Sequence, residues 1–391
     1  MLRSLYSGIS GLRAHQTMLD VTGNNIANVN TTGFKGSTTQ FQDTLSQMTQ
    51  GATGPQAATG GTNPAQVGLG VRIASVTTNF TQGSAQSTGK ATDMMISGDG
   101  FFVTNRGGQQ NYTRAGAFGL DANGHLVGPD GGVLQGWSAD ATGQVNTGGQ
   151  MGDLLLSPTT MIPARATTTV DVAGNLPSDA ATGTTLKRDI QVFDAAGNAR
   201  SLALSFTRTA GGWNVSAADA SGATGAGALT FANGQQTGGG SVTVGGIAVD
   251  LSTVTGYAGS STVVAKGQDG YKAGSLEAFS VGTDGSLVGS FSNGVRQAVG
   301  RVALAQFTNP SGLEKVGGSS FAPTANSGNP QIGAAGDAGF GTLVGGALEM
   351  SNVDLSQEFT NLIVAQRGFQ ANARIITTSD QVLQELVDLK R

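Results

Sequence analysis

The two ends of this chain restrict its fold more than any other feature, because apolar side chains repeat every seven residues at the start and again at the finish of its 391 residues. Near the amino terminus Leu5, Leu12, Leu19 and Ile26 stand seven apart, with Leu2 and Ile9 beside them. Near the carboxyl terminus Leu355, Leu362, Phe369, Ile376 and Leu383 repeat the spacing, while Phe359, Ala373 and Val387 fill the alternate positions. Such a repeat predicts a helix that offers one stripe to another helix. At about 1.5 Å per residue the two helices would be on the order of 40 Å and 55 Å long.

Two arrangements satisfy these stripes: a clasp that closes one chain on itself, or a seam between copies. Gly8, Gly11 and Gly23 each cost the first helix up to about 1 kcal/mol relative to alanine. A helix with so narrow a stripe is marginal alone. Burying its six stripe residues would contribute roughly 10 to 18 kcal/mol as an upper limit. The expectation is that both ends gain their order chiefly from other copies of the chain.

Everything between the ends predicts β-structure. The chain has 63 glycines and only 12% charged residues, which favours turns and strands over long surface helices. Asn123-Gly124, Asn233-Gly234 and Asn293-Gly294, with Asp99-Gly100, Asp130-Gly131, Asp269-Gly270 and Asp284-Gly285, predict tight hairpins. Alternating runs such as Leu202-Ala203-Leu204-Ser205-Phe206 and Ser241-Val242-Thr243-Val244 have the period of half-buried antiparallel strands. Residues 51–66, rich in Gly, Thr, Ala and Pro, read as an extended connector, and Ser216 to Gly240 as long loops. The fold class is therefore mainly β with α-helical coiled-coil termini, a multi-domain chain whose discontinuous β domains nest between the helices. The expected borders are a helical domain at 1–30 plus 355–391, a connector at 31–70 plus 341–354, an inner β domain at 71–146 plus 273–340, and an outer β domain at 147–272.

Charge and composition exclude several function classes. A net charge of -4 with no basic run gives nothing to bind a nucleic-acid backbone, and no segment approaches 18 consecutive apolar residues, so no membrane insertion is expected. The absence of cysteine removes thiolate metal sites and cysteine nucleophiles. The only histidines, His15 and His125, read as surface residues. Asp121-Ala122-Asn123-Gly124 starts like a calcium loop but lacks the closing glutamate. Ser87-Thr88-Gly89-Lys90 matches the nucleophile motif of penicillin-binding enzymes without its companion motifs, and no phosphate loop is present. No catalytic residue, metal or cofactor is expected, and the chain does not read as an enzyme.

One segment carries a specific resemblance. Gly23-Asn24-Asn25-Ile26-Ala27-Asn28-Val29-Asn30-Thr31-Thr32-Gly33-Phe34-Lys35 resembles the signature shared by flagellar rod and hook proteins. Physically the same residues are a helix stop, with Asn side chains able to satisfy orphan carbonyls before Phe34 re-enters an apolar environment. The resemblance continues at Gln66-Val67-Gly68-Leu69-Gly70-Val71, Ile96-Ser97-Gly98-Asp99-Gly100-Phe101-Phe102, Tyr112-Thr113-Arg114-Ala115-Gly116, Leu348-Glu349-Met350-Ser351-Asn352 and Gln366-Arg367-Gly368-Phe369-Gln370-Ala371-Asn372. The chain's length, with an extra β segment that holds Ile190-Gln191-Val192-Phe193-Asp194, is more similar to hook than to rod members.

The resemblance implies a homopolymeric tube with the terminal helices inside around a channel and the β domains outside. It implies the bacterial flagellum as location, with the hook outside the cell. It also implies export by the flagellar type III apparatus without a cleaved signal peptide, and as partners the distal rod protein, the hook cap and the hook-filament junction proteins. The seam residues would be Leu5, Ile9, Leu12, Leu19, Ile26, Leu355, Phe359, Leu362, Phe369, Ile376 and Leu383. Gln366 and Asp380, which interrupt the second stripe, would set register, face a neighbour's polar side, or face the channel. The competing readings are a distal rod subunit and a secreted β-rich adhesin.

Overall fold

The computed structural model describes residues 2–55, 60–157 and 160–389. Helix α1 spans Leu2–Ala27 and helix α2 spans Leu355–Asp388. Asp354 starts α2 by accepting hydrogen bonds from the backbone N–H of Ser356 (2.8 Å) and Gln357 (3.3 Å), which satisfies two donors that no helical carbonyl reaches. Helix α1 stops where Asn28 donates to the Asn24 carbonyl from both its side-chain amide (2.9 Å) and its backbone N–H (3.2 Å).

The two helices run antiparallel against each other in the single chain. Gly8 lies under Ile375 and Ile376, His15 beside Gly368, and Asn25 and Thr22 near the Glu358 carboxylate. Of the two arrangements that satisfy the stripes, the clasp is thus present within the one chain. Gly8 and Gly11 explain why. They were expected only to weaken α1, yet their missing side chains let α2 approach closely: a Cβ on Gly11 would stand 2.7 Å from Asn372 Oδ1. His15 is likewise not a surface residue, since its ring is half-buried against Phe41 at 5.6 Å.

After α1 the chain forms a ribbon. Strand β1 (Ser37–Asp43) pairs antiparallel with β4 (Val71–Thr78), and β2 (Ser46–Gln50) with β3 (Ala65–Gly68). Residues expected as a connector are therefore partly laddered. Thr53 and Thr62 form a bridge with their hydroxyls 2.7 Å apart, so the threonines that looked like loop composition pair across strands. Residues 56–59 of that stretch lie outside the described residues.

Two separate cores follow. The outer one is a five-stranded antiparallel sheet (residues 185–238) set against a four-stranded sheet (residues 169–175 and 241–268), with Trp213, Phe206, Val170 and Leu251 fully buried between them. Two expectations fail here. Thr169–Asn175 and Ile247–Thr255 pair parallel, so the β middle is not wholly antiparallel. Ser216 to Gly240 is mostly strand, because Gly225 and Gly227 point inward and let Val242 and Val244 close onto the sheet. Glycine at alternate positions serves close sheet packing as well as loops.

The inner core joins Phe102, Leu126, Leu134, Leu287, Val302 and Leu304, with an aromatic cluster of Phe101, Tyr112, Phe307 and Phe321 beside it. Leu154 and Leu156 belong to this inner core, and Met161–Ile162 pairs with Gly274–Ser275. We therefore propose the border between the β units at the Arg165–Tyr271 bridge, rather than at 147.

Most of the expected hairpins form, by a common device. In Asp121–His125, Gly128–Gly132, Gly282–Ser286 and Phe291–Val295 the fourth residue, glycine, donates back to the first residue's carbonyl, and the first residue's N–H donates to the fifth residue's carbonyl. Among the expected pairs only Asn233-Gly234 has both residues at positive φ (52° and 79°), the two-residue turn that an Asn-Gly pair suggests. Asp269-Gly270 is not a hairpin: Gly270 packs against Thr167 at the unit border, where a side chain would clash. Asp99-Gly100 joins strands that pair with other partners.

Candidate polymerisation interface

The signature segment at the end of α1 closes the chain rather than merely ending a helix. Asn25 is buried and bonds the backbone of Ser37 twice: its Nδ2 donates to the carbonyl (2.8 Å), and its Oδ1 accepts from the N–H (3.0 Å). Gly33 turns at φ 67° with no room for a side chain against Ala115, and its N–H donates to the Glu349 carbonyl (2.8 Å). Lys35 Nζ then donates to Glu349 Oε1 at 2.6 Å and to the Thr81 carbonyl at 2.7 Å, with both charged side chains fully buried.

Arg114 stands 3.5 Å from the other carboxylate oxygen. Burial pushes the Lys35 amine below its ordinary value, and Glu349 partly offsets this by favouring the charged form. The Arg114 guanidinium is shifted down for the same reason and offset by the same carboxylate. Three segments far apart in the chain thus meet in one charge cluster, and the helix pair is tethered to the inner β unit through it. Phe34, expected in a core, is half-buried under Lys315 Nζ at 5.0 Å and lines an open groove. Of the remaining signature residues, Asn24 and Ala27 are exposed, and Ile26 and Asn28 half-buried.

Apart from Ile376, which rests on Gly8, the residues buried deepest at the helix contact are not those of the leucine stripes. The buried residues of α1 are Gly8, Gly11, Ala14, Thr22 and Asn25, and those of α2 are Glu358 and Ala365. Leu5, Ile9, Leu12, Leu19 and Ile26 are half-buried, as are Leu362, Phe369 and Ile376, and Ile9 faces strand β4 rather than α2. Leu355, Phe359 and Leu383 are exposed, as are Gln366 and Asp380. Further apolar residues of α2 that the seven-residue frame does not contain are also bare: Ile363, Val364, Ile375, Val382 and Leu386. A helix whose apolar residues surround it, and whose single partner covers one side, has more faces to bury. The signal for them was the i, i+4 spacing Phe359–Ile363 and Val382–Leu386.

Glu358 is the one carboxylate buried at the helix contact. Burial raises its pKa above the ordinary value, offset in part by Asn25 and Thr22 beside it. Among the described residues no three His, Asp or Glu side chains gather where they could hold a metal, and no helix is long and apolar enough to cross a membrane. Thr88 Oγ1 donates to Asp93 Oδ2 (2.6 Å), and Ser87 is exposed at a strand end, followed by an irregular stretch to Lys90.

A chain whose termini pair as long helices around nested β units, with the outer helical faces bare, has the build of a flagellar axial subunit. Three family models fall on it: "Flagella basal body rod protein" at residues 5–35, "Flagellar hook protein FlgE/F/G D1 domain" at 95–200, and "Flagellar basal body rod FlgEFG protein C-terminal" at 344–389. The chain is 42% identical to the flagellar hook protein FlgE of Borreliella burgdorferi and 40% identical to that of Treponema pallidum, each over the whole of both chains. It is 33% identical to the flagellar basal-body rod protein FlgG of Bacillus subtilis, again over the whole of both. The chain belongs to the flagellar hook protein FlgE family. A crystal structure of Helicobacter pylori flagellar hook protein FlgE2 shares the fold, with a TM-score of 0.52 at 14% identity over 66% of this chain and 98% of that one.

Proposed function

We propose that this chain is the structural subunit of the flagellar hook, polymerising into a tube through its terminal helices and passing torque from rod to filament as a flexible joint. The observation that carries this reading is the exposed apolar surface of α2, where Phe359, Ile363, Val364 and Val387 are each more than half exposed in the single chain. Large apolar side chains in that number on one helix mark a surface that another chain covers. The seam is assigned to the stripe residues of both helices together with these bare positions.

A bending tube needs a stiff inner layer and outer contacts that exchange at little cost. The charge cluster and the paired helices serve the first need, and the weakly charged Ser-, Thr- and Gly-rich β surface serves the second. The reading carries with it the location in the extracellular hook, export by the flagellar type III apparatus without a cleaved signal peptide, and contacts to the distal rod, the hook cap and the hook-filament junction proteins. A structural role with no enzymatic activity fits the same surface. The test is electron microscopy of the purified full chain at rising concentration. Tubes should form, and deletion of residues 1–30 and 355–391 should leave a soluble monomer; an adhesin would keep its binding activity after the same cut.

A further inference from the structure

Helix α2 outruns its partner. With Gly8 beside Ile375 and Ile376, and His15 beside Gly368, the first residue of α1 falls opposite residue 381 or so, and Val382 to Leu389 have no α1 residue across from them. At 1.5 Å per residue this overhang is about 12 Å long. All eight of its residues are exposed, and Val382, Leu383, Leu386, Val387 and Leu389 are apolar. Its charged residues are Glu385 and Asp388; Lys390 and Arg391 follow, outside the described residues.

A groove of about 490 Å³ lies between α1 and strand β4, lined by Tyr6, Ile9, Arg13, Leu69, Val71 and Arg72 among others. Successive helical residues are about 100° apart, so the groove side of α1 lies about 160° from the side that meets α2. The chain's own overhang runs on past the amino end of α1 along the opposite face, and leaves this groove open. The groove carries two arginines and no carboxylate among its lining residues, opposite in sign to Glu385 and Asp388.

We infer that the overhang of one copy, residues 382–389, docks into the α1–β4 groove of the next. Apolar side chains of the overhang would enter between Ile9, Leu69 and Val71, with Glu385 or Asp388 reaching Arg13 and Arg72. The two halves of this contact are different surfaces of the same chain, so it is heterologous. Repetition of a heterologous contact builds an open helical array unless its rotation closes a ring. The inference rests on the polymer reading and gives it a direction: each subunit offers a tail to one neighbour and a socket to another.

The absence of cysteine makes the test clean. Full-length chains carrying only Ile9→Cys and chains carrying only Leu386→Cys are mixed, assembled, and treated with a short bismaleimide. Covalent dimers are expected in the mixture, at least tenfold above either variant alone, and none in dilute monomer. Arg13→Glu should slow assembly at least tenfold, and adding Glu385→Arg in the same chain should restore at least half of the lost rate. Normal tubes without mixed dimers, or a second charge change that gives no recovery, would overturn the docking while leaving the polymer reading intact. If the unmodified chain forms no assembly at any concentration, both fall together.

Discussion

Replacing Glu349 by glutamine keeps the shape of the side chain but removes the one negative charge between Lys35 and Arg114. The exchange breaks a 2.6 Å ion pair between side chains with no solvent exposure and weakens the hydrogen bond from Gly83 N–H to Oε1 (2.8 Å). Two cations are left in a site that cannot hydrate them. Breaking a buried pair in this way costs about 3 to 5 kcal/mol, because the orphan charge keeps its desolvation penalty and loses its compensation.

The chain contains a reporter for each β unit, since Trp137 lies in the inner core and Trp213 in the outer. Urea unfolding followed through Trp137 in a Trp213→Phe background should show the inner unit losing those 3 to 5 kcal/mol. With a slope of about 2 kcal/mol per molar urea, the midpoint falls by roughly 1.5 to 2.5 M. Trp213, read in a Trp137→Phe background, should keep its midpoint. The reasoning fails if the inner midpoint moves by less than about 0.5 M, or if both reporters move together. Replacing all three charges, as Lys35→Met, Arg114→Leu and Glu349→Leu, should be far milder than Glu349→Gln alone, because no charge is left unpaired.

Gly33→Ala should destabilise the inner unit by about 2 kcal/mol or more, since alanine resists the positive φ and its Cβ overlaps the Ala115 backbone; the Trp137 transition measures it. Leu362→Asp should abolish tubes in electron micrographs while both tryptophan transitions stay in place, and normal tubes would refute the seam assignment. Glu358 supplies a pH dependence. Its raised pKa means that the paired helices hold the proton more tightly than the free chain, so pairing is strongest in mild acid and weakens as pH rises from the ordinary glutamate value through the folded one. Helical circular dichroism of the monomer during thermal melting, between about pH 4 and pH 7, should show that decline, and Glu358→Gln should flatten it.

The helical ends, the β middle and most hairpin sites were legible in local pattern, because seven-residue and two-residue periods and Asn-Gly or Asp-Gly pairs report the backbone directly. What was not legible depends on what lies across from a residue. Gly11 looked like a weak point of a helix until Asn372 was seen to rest on it. Gly225 and Gly227 looked like loop until Val242 and Val244 closed over them. The pair Lys35–Glu349 is separated by 314 positions, and nothing local announces that two charged residues in apolar surroundings are each other's partners. The stripe leucines were read correctly as apolar helix positions. That Leu5, Leu12 and Leu19 are only half-buried follows from the small residues of α1 taking the centre of the clasp.

Amide hydrogen exchange on the full-length chain, in dilute monomer and in assembled tubes, measures directly whether other copies cover the bare helical faces. Residues 1–350 aside, the informative peptides are those of α2. In the monomer, amides of residues 382–389 should exchange rapidly while those near Ala365 are protected, and assembly should slow the former by at least a hundredfold. Equal exchange of the carboxyl-terminal turns in both states would contradict the assignment of α2 as the polymerisation surface.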